Sequence, residues 1–261
     1  MSEHGTGRSS FDDARQYFEN QLHSVNVEFW RRVGHVDFRD KAVLDIGCGH
    51  GALSLHAAEQ GAKYVVGVDI DAERIEFART NIRENYPRLL SSVSFYDGRM
   101  SEIPGLFDIA ISKDSFEHIA DLAGMMADIA QLLAEGGVLI AGFSPLYYSP
   151  FGDHGRYLGK RFKVPWLPVV MSERALAKLA SKLRGVTIRT AADVGLNKLT
   201  FAEFRSIISD QGWEVLSLRT NVGNKRGMGL MRSMRRIPRL ERYFTINVYA
   251  QLRKPSSLSA R

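Results

Sequence analysis

One cysteine, Cys48, in 261 residues leaves nothing for an internal disulfide or a cysteine-rich zinc site. Long apolar runs are missing as well. Val138 to Phe143 and Val164 to Met171 are the longest, prolines break the second, and both fall well short of the roughly 18 residues that a spanning helix needs. The opening segment holds no apolar stretch behind a basic start, so no secretory leader is expected and a cytoplasmic protein is the expectation. Nothing repeats internally. The bias of a disordered chain is absent too: 44% hydrophobic and 25% charged residues can build a buried core.

Excess positive charge is confined to one stretch. Lys225, Arg226, Arg232, Arg235, Arg236, Arg239 and Arg242 stand against Glu241 alone, so residues 225–242 account for the whole net charge of +6. A nucleic-acid-binding surface would be spread more widely, and nucleic acid is not the expected partner. Met228, Met231 and Met234 recur at i, i+3 with arginines between them. Two readings follow: a cationic amphipathic lid meeting an anionic substrate or a membrane surface, or a solvated arginine-rich face over a sheet edge.

Strand-like and helix-like patterns alternate through the chain. A helical pattern covers 11–33, then strands are expected at 41–46, 62–70, 93–96, 107–112 and 138–143, with helices at 50–60, from the N-cap Asp71 onward, and at 122–134. Such alternation predicts an α/β fold with a parallel sheet covered on both faces. After Phe143 the rhythm breaks, and 144–199 reads as an insertion holding a helix near 172–183. A helix at 201–211 capped by Thr200, a strand at 213–219, a basic insertion at 221–243 and a last strand at 244–252 complete one domain over 1–261.

The sharpest local signal is Val43-Leu44-Asp45-Ile46-Gly47-Cys48-Gly49-His50-Gly51. Glycines in a turn between a parallel strand and a helix let the backbone approach a ligand closely. Gly47, Gly49 and Ala52 equally satisfy the G-x-G-x-x-G/A pattern of dinucleotide enzymes, so glycine spacing alone leaves both cofactor classes open. Asp45 argues against a pyrophosphate, which it would repel, and suits a ligand carrying an ammonium and a sulfonium. Asp69, ending the second strand, can accept from ribose hydroxyls, and Asp97, after the third, from an adenine amine.

Taken in order, the D-x-G-x-G-x-G loop, Asp69, Asp97, the Phe107-Asp108-x-x-x-Ser112 strand and Gly136-Gly137 resemble the class I S-adenosylmethionine-dependent methyltransferases over roughly 40–143 and 200–253. The resemblance implies a Rossmann-like, seven-stranded, mostly parallel sheet with an antiparallel last strand and a lid insertion after strand five. It implies S-adenosyl-L-methionine as cofactor. Asp45, Gly47, Cys48 and Gly49 would hold the methionine end, Asp69 and Ile70 the ribose, and Asp97 and Gly98 the adenine. Ser112, Lys113 and Asp114 would sit under the sulfonium. Cys48 reads as a small loop residue, not a nucleophile.

Methyl transfer to a hydroxyl needs alignment and a base for the proton. Two segments offer one. In Asp114-Ser115-Phe116-Glu117-His118, a helix would set Asp114, Glu117 and His118 on one face by i, i+3, i+4 spacing. This segment resembles ubiquinone-type O-methyltransferases, where an acidic residue and a Glu-His pair at these offsets bind a metal. A Glu-His pair here also shapes the pocket of class I methyltransferases generally, and the expectation is that no metal is bound. The second segment runs from Ser144 to His154, where Asp153 stands beside His154 as a carboxylate beside a base. Its S-P-F-G-x-H pattern, with Val164-Pro165-Trp166, resembles a group of bacterial methyltransferases and implies no substrate. Six aromatics, Tyr147, Tyr148, Phe151, Tyr157, Phe162 and Trp166, either line a pocket or form the core of a small cap.

The resulting expectation is O-methylation of a small molecule, glycan or lipid-linked substrate, with peripheral membrane contact through 225–242. The alternatives kept open are an RNA or protein methyltransferase and a non-catalytic cofactor-binding scaffold. The fourth strand lacks the N/D-P-P-Y/F motif of nucleic-acid amino-group methyltransferases. A nicotinamide oxidoreductase is the fold-level competitor, opposed by Asp45.

Overall fold

The computed structural model describes residues 6–98, 100–159, 161–162, 164–223 and 227–255. Its strands are β1 (Ala42–Ile46), β2 (Tyr64–Asp69), β3 (Val93–Asp97), β4 (Phe107–Lys113), β5 (Leu133–Phe143), β6 (Glu214–Thr220) and β7 (Val248–Arg253). They form one seven-stranded sheet in the order β3-β2-β1-β4-β5-β7-β6. β1 pairs in parallel with β2 and β4, and β2 with β3, whereas β6 and β7 are antiparallel. Every residue of β1 is buried, as a parallel strand covered on both faces requires. The parallel strands are those expected from the alternation, and the whole is the Rossmann-like sheet with an antiparallel last strand that the resemblance implied.

The helices are α1 (Thr6–Asn20), α2 (Asn26–Val33), α3 (Ala52–Glu59), α4 (Ala72–Asn85), α5 (Leu122–Leu132), α6 (Leu167–Val170), α7 (Glu173–Arg184), α8 (Phe201–Asp210), α9 (Met228–Met234) and α10 (Glu241–Phe244). Their ends follow from local chemistry. The Asp71 carboxylate accepts from the Arg74 amide to start α4. Thr200 and Glu203 form a reciprocal capping box for α8. Gly185, in the left-handed region at φ 69°, stops α7.

Three elements depart from expectation. The helix expected over 11–33 is interrupted by a wider π-helical turn at Gln21–Val25. Gly136 and Gly137 lie inside β5 and not before it; Gly136 has φ 72°, so its bend sits within the strand. The stretch after β4 is no α-helix but a single 3-10 turn, Phe116–His118.

The chain divides into two compact units, Met1–Lys113 with Asp128–Ile140, and Asp114–Ala127 with Ala141–Arg261. In the first, Phe18, Leu22, Ala52, Leu55 and Phe77 seat the N-terminal helices on α3 and α4. In the second, Tyr147, Tyr157, Leu167, Leu176, Ala180 and Leu196 close a core within 144–199. Tyr147 and Tyr157 are therefore core residues, their hydroxyls 3.2 Å apart. Phe151 and Phe162 are exposed.

Candidate active site

In the first unit the glycine loop is built around Asp69. The Gly47 and Cys48 amides donate to the Val68 carbonyl at 2.9 and 3.0 Å, which folds the loop back onto β2. The Gly49 amide donates to Asp69 Oδ2 at 2.9 Å, and the Asp71 amide to Oδ1 at 2.9 Å. Each carboxylate oxygen keeps a further lone pair for a ligand hydroxyl. Gly49 has φ 54°, and a Cβ placed on it would meet nothing within 4 Å, so the backbone there faces open space. Gly51, at φ 83°, has no such room: a Cβ would lie 2.7 Å from the Phe95 ring. Glycine is needed there for packing as well as for the turn.

Asp45 is almost fully buried and accepts from Ser54 Oγ at 2.6 Å. Burial, reinforced by the nearby Asp69 carboxylate, pushes its pKa up to about 7 against the opposing pull of Ser54 and Lys113. An ionised Asp45 is thus short of positive charge, and a cationic ligand would supply it. Cys48 is buried, and that burial pushes its thiol well above the usual range, which fits a loop residue and not a nucleophile.

Asp97 gives one oxygen to Arg79 of α4 at 2.8 Å, and this bond lowers its pKa. Gly98 has φ 146°, and its amide donates to the Asp69 carbonyl at 3.2 Å. The Ile70 side chain is 91% exposed, an uncommon placement for an aliphatic residue that leaves its face open to a ligand. Ser112 is buried, and its hydroxyl donates to the Ile46 carbonyl at 3.1 Å, so it splints β1 to β4. Lys113 Nζ donates to Gln21 Oε1 at 3.0 Å. Gln21 was not legible as a site residue; only the π-helical turn brings it to the end of β4.

In the second unit three side chains converge. One ligand-type atom from each of Glu117, His118 and His154 lies within 4.8 Å of the other two. The His118 and His154 ring centroids are 5.2 Å apart. His118 Nδ1 is 2.6 Å from the Gly195 carbonyl, and His154 Nε2 is 2.9 Å from the Pro145 carbonyl. A carbonyl only accepts, so those two nitrogens carry the hydrogens, and neutral rings then hold their lone pairs on His118 Nε2 and His154 Nδ1. Glu117 is buried, and its Oε1 accepts from the Ser144 amide at 3.3 Å. Burial lowers the His154 pKa to about 4.

Two sequence expectations are corrected here. Asp114 does not join Glu117 and His118: it precedes the 3-10 turn, is exposed, and has φ 53° with its amide tied to the Gly142 carbonyl. The face expected from i, i+3, i+4 spacing needs an α-helix that does not form. Asp153 does not pair with His154 either. It is buried, its pKa is raised by that burial, and its Oδ2 has no hydrogen-bond partner among the described residues.

The basic segment is partly structural. Arg232 donates to the Asn221 and Gly223 carbonyls at 3.2 and 2.6 Å. Arg235 reaches Glu241 at 3.3 Å and lies over the Phe201 ring, while Arg242 lies over the Tyr148 and Tyr243 rings. Arg236 and Arg239 are exposed. Lys225 and Arg226 lie outside the described residues.

A family model described as "Methyltransferase domain" matches residues 37–145. Residues 37–145 are a methyltransferase domain. That span holds the glycine loop, Asp69, Asp97, β4 and the Glu117-His118 turn, and the surrounding fold is the Rossmann-like fold of this enzyme class. The chain is 31% identical over 121 residues to a ubiquinone biosynthesis O-methyltransferase of Neisseria meningitidis serogroup C, an alignment covering 45% of this chain and 49% of that one. It is 32% identical over 99 residues to a ribosomal protein L11 methyltransferase of Thermotoga neapolitana, covering 38% and 35%. The chain thus spans about half the length, or less, of these curated relatives. An S-adenosylmethionine dependent methyltransferase from Mesorhizobium loti has the same fold, with a TM-score of 0.56 at 18% identity, covering 88% of this chain and 98% of that one. Among the described residues, no helix is long and apolar enough to cross a membrane.

Proposed function

We propose that the chain is an S-adenosylmethionine-dependent methyltransferase that methylates a hydroxyl of a small molecule, a glycan or a lipid-linked substrate. The observation that carries the acceptor chemistry is the facing pair His118 and His154, each with one nitrogen tied to a backbone carbonyl. The resemblance to a ubiquinone biosynthesis O-methyltransferase supports a hydroxyl acceptor on a small molecule.

On the donor side, Gly49 presents open backbone to the methionine end, with Gly47 beside it in the loop. Asp45, about half protonated at neutral pH with its pKa of about 7, ionises fully against the ammonium. Asp69 accepts from the ribose hydroxyls, and the free oxygen of Asp97 accepts from the adenine amine. When bound, the sulfonium supplies an activated methyl group. The chain's own task is to orient the acceptor oxygen and remove its proton. His154, held at about 4, is poorly matched to take a proton near neutral pH and serves as a neutral hydrogen-bond acceptor. The proton therefore passes to His118 Nε2 as the oxygen lone pair forms the new bond.

A second reading has its own observation: the 4.8 Å grouping of Glu117, His118 and His154. Two neutral imidazoles and a carboxylate suit a divalent transition metal, and both rings already donate their other nitrogen to a carbonyl, as metal-bound histidines do. Such an ion would act as a Lewis acid on the acceptor hydroxyl. Equilibrium dialysis with zinc and manganese, on the wild type and His154→Ala, tests this reading.

Peripheral contact with an anionic membrane surface is proposed through Arg236 and Arg239, beside the exposed Leu230 and Ile237. The central claim is tested by calorimetry with S-adenosylmethionine and NAD, followed by mass spectrometry of cell extracts for a species heavier by one methyl group. Tight NAD binding with none for the sulfonium cofactor would overturn it.

A further inference from the structure

Within the 3-10 turn that carries Glu117 and His118, the Phe116 carbonyl accepts only a long 3.4 Å bond from the Ile119 amide. A turn of three residues leaves most of its acceptors pointing outward, and here they lie in a half-buried position where an orphaned carbonyl is costly. The donors come from a segment distant in sequence, at the end of the 144–199 insertion. Asn197 Nδ2 donates to the Phe116 carbonyl at 2.6 Å and to the Ile119 carbonyl at 2.8 Å. The Asn197 amide donates to the Glu117 carbonyl at 3.2 Å. Two residues earlier, the Gly195 carbonyl receives His118 Nδ1–H at 2.6 Å.

Side chain and backbone of one asparagine thus grip the turn on both sides of the Glu-His pair. The amide orientation is settled by the network: Asn197 Oδ1 accepts from the Leu199 amide at 3.0 Å, which leaves the NH2 group as the double donor. The gripping segment is itself anchored. Gly195 has φ 72° and Lys198 φ 57°, so the chain turns sharply on either side of Asn197. Lys198 Nζ is 2.5 Å from Glu173 Oε2, and Glu173 Oε1 accepts from the Ala191 amide at 2.8 Å, tying the segment to the start of α7.

We infer that Asn197, acting with the Gly195 carbonyl, is the positioning residue for His118: it fixes the aim of the ring and holds it as the Nδ1–H tautomer, with the Nε2 lone pair directed at the acceptor. The inference rests on the reading of His118 as the acceptor-side base. A serine, alanine or aspartate at 197 cannot provide both side-chain donors. The 144–199 insertion is by this route mechanically joined to His118.

The test is the side-chain nitrogen NMR spectrum of the full-length, 15N-labelled protein, with His118 assigned through His118→Gln. The wild type should show His118 predominantly as the Nδ1–H form. Asn197→Asp keeps the Oδ1 acceptor for Leu199 and removes both donors; the preference for Nδ1–H should fall by roughly fivefold, the weight of one ordinary hydrogen bond, and the ring's pH titration should move. Lys198→Met breaks the Glu173 pair of the same segment and should lower the melting temperature without changing the tautomer. An Nε2–H tautomer in the wild type, or an unchanged His118 spectrum in Asn197→Asp, would overturn the inference. A parallel titration of the same samples with S-adenosylmethionine separates the two failures. If the tautomer is as expected but the cofactor does not bind, the methyltransferase reading falls and the positioning geometry stands.

Discussion

Asp45→Asn isolates the consequences of burying a carboxylate under the glycine loop. In the folded protein Asp45 is 1% exposed and has a pKa of about 7, against about 3.9 for an unstructured aspartate. Between these values the folded state holds a proton that the unfolded state has lost. Stability therefore falls as pH rises from about 4 to about 7, and the penalty is complete above 7. Three pKa units at 1.36 kcal/mol each set an upper bound of about 4 kcal/mol. Asparagine keeps the shape and can still accept from Ser54 Oγ, so at pH 8 the variant should be more stable by about 2–4 kcal/mol. For a chain of this size that is roughly 5–15 °C in melting temperature. At pH 5 the gain should shrink to about 1.5 kcal/mol, because the pH is then only about one unit above the pKa of the unfolded aspartate, and below pH 4 it should vanish. Cofactor affinity should move the other way, about tenfold to a hundredfold weaker at pH 8, since the charge opposite the ammonium is gone. Wild-type binding at pH 6 should also release a proton, visible as a buffer-dependent binding enthalpy, and the variant should release none. The assays are melting curves from pH 5 to 9 and calorimetry in two buffers. An Asp45→Asn protein that melts lower than wild type at pH 8, by the same margin at pH 5, would refute the reasoning.

Further outcomes follow from the acceptor side and the surface. His118→Ala should lower methyl transfer by about 10² to 10⁴ while leaving cofactor affinity within twofold, measured by single-turnover rates and calorimetry. Because burial depresses the His154 pKa, the unfolded chain takes up a proton near pH 6.5 that the folded chain refuses until about pH 4; stability should fall across that window, and His154→Gln should flatten the fall in melting curves. Arg232→Gln with Arg235→Gln should cost about 1–3 kcal/mol of stability through the Asn221 and Gly223 carbonyls and Glu241. Arg236→Gln with Arg239→Gln should leave melting unchanged and weaken co-sedimentation with anionic liposomes, an effect that added salt should mimic. Phe107→Ala, at a fully buried position of β4, should destabilise by about 3–5 kcal/mol in denaturant titration.

The proposed donor half was readable in the sequence because its signals are local. Glycines at 47, 49 and 51 supply left-handed turns where a strand feeds a helix, and Asp69 and Asp97 sit at the ends of adjacent strands. Buried strands alternating with capped helices gave the parallel core for the same reason, since each period lies within a few residues, whereas the antiparallel final pair came from the family resemblance. The grouping proposed as the acceptor half was not legible, because it depends on where turns send the chain. Spacing grouped Asp114 with Glu117 and His118 by assuming a helix, but a left-handed Asp114 and a single 3-10 turn break that spacing. His154 takes its place because the turns around Phe151 and His154, both at positive φ, fold the ring back to His118. Asp153, adjacent to it in sequence, points elsewhere. Asn197 gave no sequence signal, since an asparagine close to a glycine marks any loop. The composition located the arginines of 225–242, yet only packing assigned Arg232 and Arg235 to carbonyls and a carboxylate and left Arg236 and Arg239 in solvent. Local periodicity fixes backbone form and which residues can meet within one element. Meetings between distant segments are decided by the few dihedral angles at the turns that join them, and no repeat in the sequence encodes those angles.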